Sequence, residues 1–437
     1  MRAVRLPLLV VLVAFLSFVV SAARSDDAKG TSVVLFIGDG MGAPQITLGR
    51  VAAEQLHVPY ALDRFRTIGL AETRAFDNLV TESSAAATAL ACARKTRNRS
   101  IGVDEDGRPI LDLVQAARAA GLRTGLVTTA RVTDSTPAGF AAHVSDRHEE
   151  DEIARQYTDG SAPDLLLGGG GKYFDDARRA TFRAHGYEVV ADRSALLAAK
   201  GPRLLGLLSP DDMSFDNERD ARAQPSLAEM TEKALAVLGA SARPFFLMVE
   251  GGRIDHAGHY HDAAQVIREQ LAFVRAVEVA RARAGLLVIV TGDHATGSLG
   301  ITERIQLDRL LAVRTSVETI LADPACKTDD AALARAVKRA AGIELDAAEI
   351  ASVRRPERPP ARIVALGHAI SKRFGVTFYE VDEQESQKVT RGHDGSLVPV
   401  FAAGPGEEVF SGTYENTLIP LHIAKALGIH PPGARLY

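Results

Sequence analysis

The chain has 437 residues, 46% hydrophobic and 24% charged, which allows one large core or two ordinary ones and argues against general disorder. Lys plus Arg number 51 against 55 Asp plus Glu, a net charge of −4. That balance gives no electrostatic reason to expect a nucleic-acid partner.

The first residues read as a targeting segment. Arg2 and Arg5 precede an apolar run over residues 8–20, closed by Ser21, Ala22 and Ala23. A positive start, an apolar middle and small residues at the exit make a secretory signal peptide of residues 1–23. The run is shorter than the ~20 apolar residues of a spanning helix. No Cys follows it to carry a lipid, and no later segment is apolar enough to cross a bilayer. The expected mature chain, residues 24–437, is therefore exported to the periplasm or the medium, with no membrane span.

Short apolar runs then alternate with helical patterns. Residues 32–37, 124–128, 164–167, 245–249 and 286–290 are apolar on both faces, as strands of a covered parallel sheet must be. Between them, residues 111–120, 226–238 and about 257–284 read as helices. The alternation predicts a doubly wound α/β domain, a mainly parallel sheet sandwiched by helices. From about residue 300 to 390 the pattern changes to helical pieces (331–341, 347–353) and an Arg/Pro-rich stretch, 354–362. This is expected to be an insertion over the active-site edge, after which 397–402 (strand) and 418–427 (helix) return to the main domain. Cys92 and Cys326 are too few and too far apart for a zinc-finger pattern; Cys92 reads as a buried helical thiol.

Polar residues fall where such sheets build sites. Asp39 follows the first strand, Glu250 follows 245–249, and Asp293 with His294 follow 286–290, so they converge on the carboxyl edge. Asp255 and His259 are four apart and share one side of a helical turn, an oxygen–nitrogen pair that suits zinc. His393 stands in a glycine-rich loop before a strand. Ser83 opens an alanine-rich run and so sits at a helix N-terminus, where backbone N–H groups favour anions. A helix-capping Ser would look the same. No Gly-x-Ser-x-Gly elbow surrounds it, so activation by metal is the better reading. The glycine run 168–171 lacks the Ser or Thr of a phosphate-binding loop and reads as a turn.

Taken together, Phe36-Ile37-Gly38-Asp39-Gly40-Met41-Gly42, Thr81-Glu82-Ser83, Asp134-Ser135-Thr136-Pro137, the segment 250–259, Asp293-His294 and Gly392-His393 resemble the motifs of alkaline phosphatases, in that family's order and across nearly the whole mature chain. The resemblance implies hydrolysis of small phosphate monoesters through a phosphoserine on Ser83. It implies one zinc on Asp255, His259 and His393 and a second on Asp39, Asp293 and His294. A magnesium would be held by Asp39, Thr136 and Glu250, with Asp134 directly or through water, and Arg147 would grip phosphate. Many members are dimers, although no dimer signature is visible in this chain. The chain departs from the familiar pattern at Glu82, where Asp is usual, and at Asp394, where Thr is common; His256 stands at a variable position.

Two alternatives remain at this level. A phosphodiesterase or sulfatase of the same superfamily would keep the metals. The Ser83 context lacks the sulfatase pattern, and Asp134, Thr136 and Glu250 supply a third site that diesterases commonly lack. A non-catalytic metal- or phosphate-binding protein would leave Ser83 idle.

Overall fold

The computed structural model describes residues 30–355, 359–380 and 389–436. The signal peptide expected over residues 1–23 lies outside the described residues, as do 356–358 of the Arg/Pro-rich stretch. The strands are β1 (Val33–Gly38), β2 (Thr67–Glu72), β3 (Arg123–Arg131), β4 (Leu165–Gly169), β5 (Glu188–Val190), β6 (Leu204–Leu207) and β7 (Phe245–Gly251). They continue as β8 (Leu287–Gly292), β9 (Ala295–Thr296), β10 (Gly300–Ile301), β11 (Val376–Thr377), β12 (His393–Asp394), β13 (Val398–Ala403) and β14 (Gly412–Glu415).

Ten of them form one sheet in the order β14-β2-β13-β8-β1-β7-β3-β4-β6-β5. Every neighbouring pair is parallel except those of β13, which runs against both β8 and β2. The central strands are buried on both sides, and successive residues feed different cores. Val34 and Phe36 of β1 join Leu247 and Val249 of β7 under the helices Ala43–Gln55, Leu227–Leu238 and Ala263–Arg281. Val33, Leu35 and Ile37 join Phe246 and Met248 on the opposite face, under Ser83–Cys92, Leu113–Ala119 and Leu418–Leu427. The expected α/β sandwich is this one.

The expected single helix over about 257–284 is instead two, Arg253–His259 and Ala263–Arg281. His261 takes a left-handed conformation (φ 54), and the Asp262 side chain accepts from Gln265 N at 3.2 Å to cap the second helix. The helix Pro359–Arg373 passes so close to the break that a Cβ on Gly367 would lie 1.9 Å from Tyr260 O. Cys92 and Cys326 are both buried and unbridged.

Candidate metal centre and active site

The carboxyl ends of β8, β1 and β7 finish level with one another: Gly38 is in register with both Gly292 and Gly251. Asp39 and Asp293 therefore leave neighbouring strands side by side. Gly40 turns the chain there at φ 68, and its N–H donates to Asp293 Oδ1 at 3.0 Å. A Cβ at this position would stand 2.8 Å from both Asp255 Oδ1 and Thr296 Oγ1, so only glycine fits the turn. His393 arrives by a different route. Because β13 is antiparallel, its N-terminal end lies at the carboxyl edge of the parallel strands. The short β12 that precedes it pairs His393 with Thr296 of β9.

These elements assemble two nitrogen–oxygen groups. Ligand atoms of Asp255, His259 and His393 lie within 4.8 Å of one another, and so do those of Asp39, Asp293 and His294. His259 Nε2 is 3.2 Å from Asp255 Oδ2 and 3.0 Å from His393 Nε2. His294 Nε2 is 3.2 Å from Asp293 Oδ2 and 3.5 Å from Asp39 Oδ1.

The protons on the rings follow from their other partners. His259 Nδ1 meets the Arg391 carbonyl at 3.0 Å, and His393 Nδ1 meets the Thr81 carbonyl at 3.0 Å. A carbonyl only accepts, so both Nδ1 atoms carry the proton. The Thr296 hydroxyl gives its proton to Asp255 Oδ1 (2.5 Å), which leaves its oxygen to accept from His294 Nδ1 at 3.1 Å. With Nδ1 so engaged, all three rings turn Nε2 inward, the nitrogen that a neutral ring would present to a metal. His259 Nε2 and His393 Nε2 face each other at 3.0 Å, a spacing that a shared cation would bridge. Asp39 Oδ1 and Asp293 Oδ2 are buried and accept no hydrogen bond. Burial and the charges of Asp293, Asp255, Glu250 and Asp134 push the Asp39 carboxyl well above its usual range. Burial also raises Asp293. The donor types, the orphaned oxygens and the excess of negative charge fit divalent cations.

A third set is all oxygen. Glu250 is in register with Thr128 of β3 and accepts its hydroxyl. Burial, despite that bond, raises the Glu250 carboxyl to about 8, with Asp134 adding to the effect. Thr136 Oγ1 is buried and lies close enough to Glu250 for its hydroxyl to work against that rise. Asp134 is also grouped with Asp212 and His256 within 4.8 Å. That trio is crossed by guanidinium groups. Arg131 pairs with Asp134 at 2.7 Å and with Asp212 at 2.8 Å, and Arg253 Nη1 donates to His256 Nδ1 at 2.7 Å. Burial would raise Asp134, but Arg131 and then Arg147 hold its carboxyl below the usual range.

Ser83 is the first residue of the helix Ser83–Cys92, and its Oγ lies 3.2 Å from His294 Nε2. The helix is capped by Glu82, not by a serine: Oε1 accepts from Ala85 N (3.0 Å) and Arg99 N (2.7 Å). Oε2 accepts from Ser84 Oγ (2.9 Å) and Arg147 Nη1 (2.6 Å). Arg147 Nη2 reaches Asp134 Oδ1 at 3.1 Å. Two carboxylates thus hold the Arg147 fork, and the longer Glu82 side chain still reaches it. Asp394 accepts from Ser298 Oγ and Ser396 N, so its charge is engaged locally. The glycine run ends in a single turn, Gly171–Tyr173.

Sequence reasoning missed Thr296, Thr128, Arg131, Asp212, Arg253 and Glu318, all of which touch the site residues or their partners. Thr296 carries a faint signal, standing two residues after His294 on the same face of an extended chain. The others acquire meaning only through tertiary contact. The remaining acidic group, Asp104, Glu105 and Asp106, is occupied by Arg108 and Arg435.

The family model described as alkaline phosphatase matches residues 30–429. Alkaline phosphatase 4 of Bacillus subtilis is 33% identical over 421 residues, 91% of this chain and 88% of its own. The crystal structure of Thermus thermophilus alkaline phosphatase superposes with a TM-score of 0.83 at 29% identity, covering 92% of each chain. Alkaline phosphatase from the Antarctic bacterium TAB5, in a variant with aspartate in place of one histidine and Mg bound in its M3 site, has a TM-score of 0.65 at 28% identity. It covers 92% of this chain and 99% of its own.

Proposed function

The chain belongs to the alkaline phosphatase family, and from that premise we propose that it hydrolyses phosphate monoesters through a phosphoserine on Ser83. The observation that carries this reading is Ser83 Oγ beside His294 Nε2, on a helix whose cap, Glu82, also holds the doubly tethered Arg147. Asp255, His259 and His393 would hold one zinc, and Asp39, Asp293 and His294 a second. Asp39, Thr136, Glu250 and Asp134 would hold magnesium, since a hard cation prefers oxygen donors. The TAB5 variant in which aspartate replaces one histidine has Mg bound in its M3 site, which supports that preference.

The chain's own residues then divide the work. Arg147 presents a planar fork to two oxygens of the substrate phosphate, held in place by Glu82 and Asp134. The N-terminus of the Ser83–Cys92 helix adds backbone N–H groups aimed at the same anion. Ser83 Oγ attacks phosphorus as the ester P–O bond breaks, so the phosphoryl group passes to Ser83 and the alcohol leaves. Water then attacks phosphorus, the Oγ–P bond breaks, and inorganic phosphate is released with Ser83 restored. Bound cations would supply the Lewis acidity that holds Ser83 deprotonated, neutralises the leaving oxygen and lowers the pKa of water from about 15.7 towards ~7.

The reading extends to the rest of the chain. Residues 1–23 act as a signal peptide, so the enzyme works outside the cytoplasm. Among the described residues no helix is long and apolar enough to cross a membrane. The described residues between about 300 and 390 would form an insertion over the site edge.

The test compares p-nitrophenyl phosphate with bis-p-nitrophenyl phosphate, using one zinc- and magnesium-loaded preparation at alkaline pH. A large monoester preference, abolished by chelator and by Ser83→Ala, is the expected result. A diester preference would overturn the roles of Arg147 and the oxygen set. Absence of both activities would leave a metal- or phosphate-binding protein.

A further inference from the structure

Arg147, to which the functional reading gives the substrate's phosphate, is held by more than its guanidinium fork. Its N–H donates to the Arg99 carbonyl at 2.8 Å. The same two segments meet again where Ile101 and Val144 exchange both backbone bonds at 3.0 Å. The Arg99 N–H in turn donates to Glu82 Oε1 at 2.7 Å. One residue thus stands between the cap of the Ser83 helix and the backbone of Arg147, and gives a backbone group to each.

Arg99 is the third residue of a turn that Ser100 N closes on Arg97 O at 3.1 Å. Its φ of 76 is the largest positive value among the described non-glycine residues. A Cβ makes that conformation costly, and a turn left-handed at its third residue ordinarily carries glycine or asparagine there. The arginine is kept in it from both flanks. Asn98, the residue before, accepts from Glu82 N and donates to Val80 O, both at 3.0 Å. The Arg99 guanidinium crosses to Asp146 Oδ2 at 2.5 Å. Asp146 is the neighbour of Arg147 and is itself fixed, by accepting from His148 N at 3.0 Å and by donating its own N–H to Glu149 Oε1 at 3.0 Å. Backbone strain of this kind persists where surrounding contacts over-determine it, and it gathers at sites that need one fixed geometry.

We propose that Arg99 is a positioning residue for Arg147: its left-handed backbone sets the distance between the Glu82 cap and the Arg147 main chain, and its pair with Asp146 keeps the turn closed. The inference rests on the monoesterase reading for the task of Arg147, though not for the turn's hold on it. Arg99 acts through Glu82 and Arg147; its own guanidinium, half-exposed, is committed to Asp146.

The test uses the full chain loaded with zinc and magnesium, with inorganic phosphate as the probe. Two quantities are read: inhibition of p-nitrophenyl phosphate hydrolysis by phosphate, and deuterium uptake by peptides that contain the Arg147 amide. Arg99→Val, whose branched side chain tolerates positive φ least, should weaken phosphate inhibition about tenfold and speed uptake at Arg147. Arg99→Ala should fall between Arg99→Val and wild type. Arg99→Gly also lacks the guanidinium but takes the left-handed conformation freely, so it should restore both readings. Equal losses in Arg99→Gly and Arg99→Val would place the effect in the lost charge and overturn the proposal. So would unchanged inhibition and uptake in Arg99→Val and Arg99→Ala, or a loss that tracks loss of zinc. A wild-type chain that hydrolyses no monoester would sink the functional reading; faster uptake at Arg147 in Arg99→Val but not in Arg99→Gly would still uphold the turn's hold on Arg147.

Discussion

Glu82→Gln isolates the residue that joins the helix of Ser83, the proposed nucleophile, to Arg147, the proposed phosphate grip. The Glu82 side chain is 2% exposed and its two oxygens accept four hydrogen bonds, from Ala85 N, Arg99 N, Ser84 Oγ and Arg147 Nη1. A glutamine can keep its oxygen on the two backbone N–H groups, so the helix cap survives. Its NH₂ then faces Ser84, which can rotate to accept, and Arg147, which cannot. One charge-assisted bond is lost, worth about 1.5–3 kcal/mol, and Arg147 keeps only the 3.1 Å contact to Asp134. We expect a loss of about 2 kcal/mol in urea unfolding at neutral pH. Phosphate inhibition should weaken about tenfold, equivalent to ~1.4 kcal/mol. The pH dependence has a definite sign. Burial would raise Glu82, but Arg147 and the backbone donors hold it below its ordinary value. Its stabilisation is therefore present above the unfolded carboxyl pKa and lost as pH falls and Glu82 protonates. The gap between wild type and variant should close in acid. Equal stability within 0.5 kcal/mol and phosphate inhibition within about twofold at neutral pH would refute the argument.

Thr296→Val removes the hydroxyl that bridges His294 Nδ1 and Asp255 Oδ1, so zinc should leave about 10–100-fold more readily in a chelator competition; unchanged retention would dismiss the bridge. Stripping metal should lower the thermal midpoint, because the carboxylates of Asp39, Asp293, Asp255, Glu250 and Asp134 are left facing one another. Zinc at ~100 times its Kd should restore about 2.7 kcal/mol, and a zinc-independent midpoint would contradict this. Asp112, the buried cap of the Leu113–Ala119 helix, is pushed up to about 8 by burial. Its folded pKa exceeds the unfolded value, so it favours folding at low pH and loses that contribution as pH rises from about 4 towards 8. Asp112→Asn keeps the cap without the charge and should gain on wild type across that window in urea unfolding; a constant difference would show that Asp112 does not titrate there.

The centre of the sheet was legible because strands buried on both faces need unbroken apolar runs, and those of β1, β3, β4, β7 and β8 announce themselves. The strands near the sheet margins were not: β5 is three residues long and β2 alternates, exposing Ile68 and Leu70. The break at His261 was hidden for another reason. Local pattern favours one helix, and the interruption is set by Asp262 reaching Val317 N and by the close passage of Gly367. At the site, Asp39, Asp293 and His294 could be read from strand ends alone. His393 could not, since its place depends on β13 running antiparallel. Arg147 looks like any surface arginine until Glu82 and Asp134 are seen on either side of it. The Glu318–Arg253–His256 chain joins residues 65 apart and has no local signature.

The most direct test of the central claim is to mix the metal-loaded enzyme with a ³²P-labelled phosphate monoester, quench in acid and map the label. The account predicts phosphoserine on the peptide that contains Ser83, and neither label nor most of the turnover in Ser83→Ala. Label on another residue, or full turnover by Ser83→Ala, would contradict it.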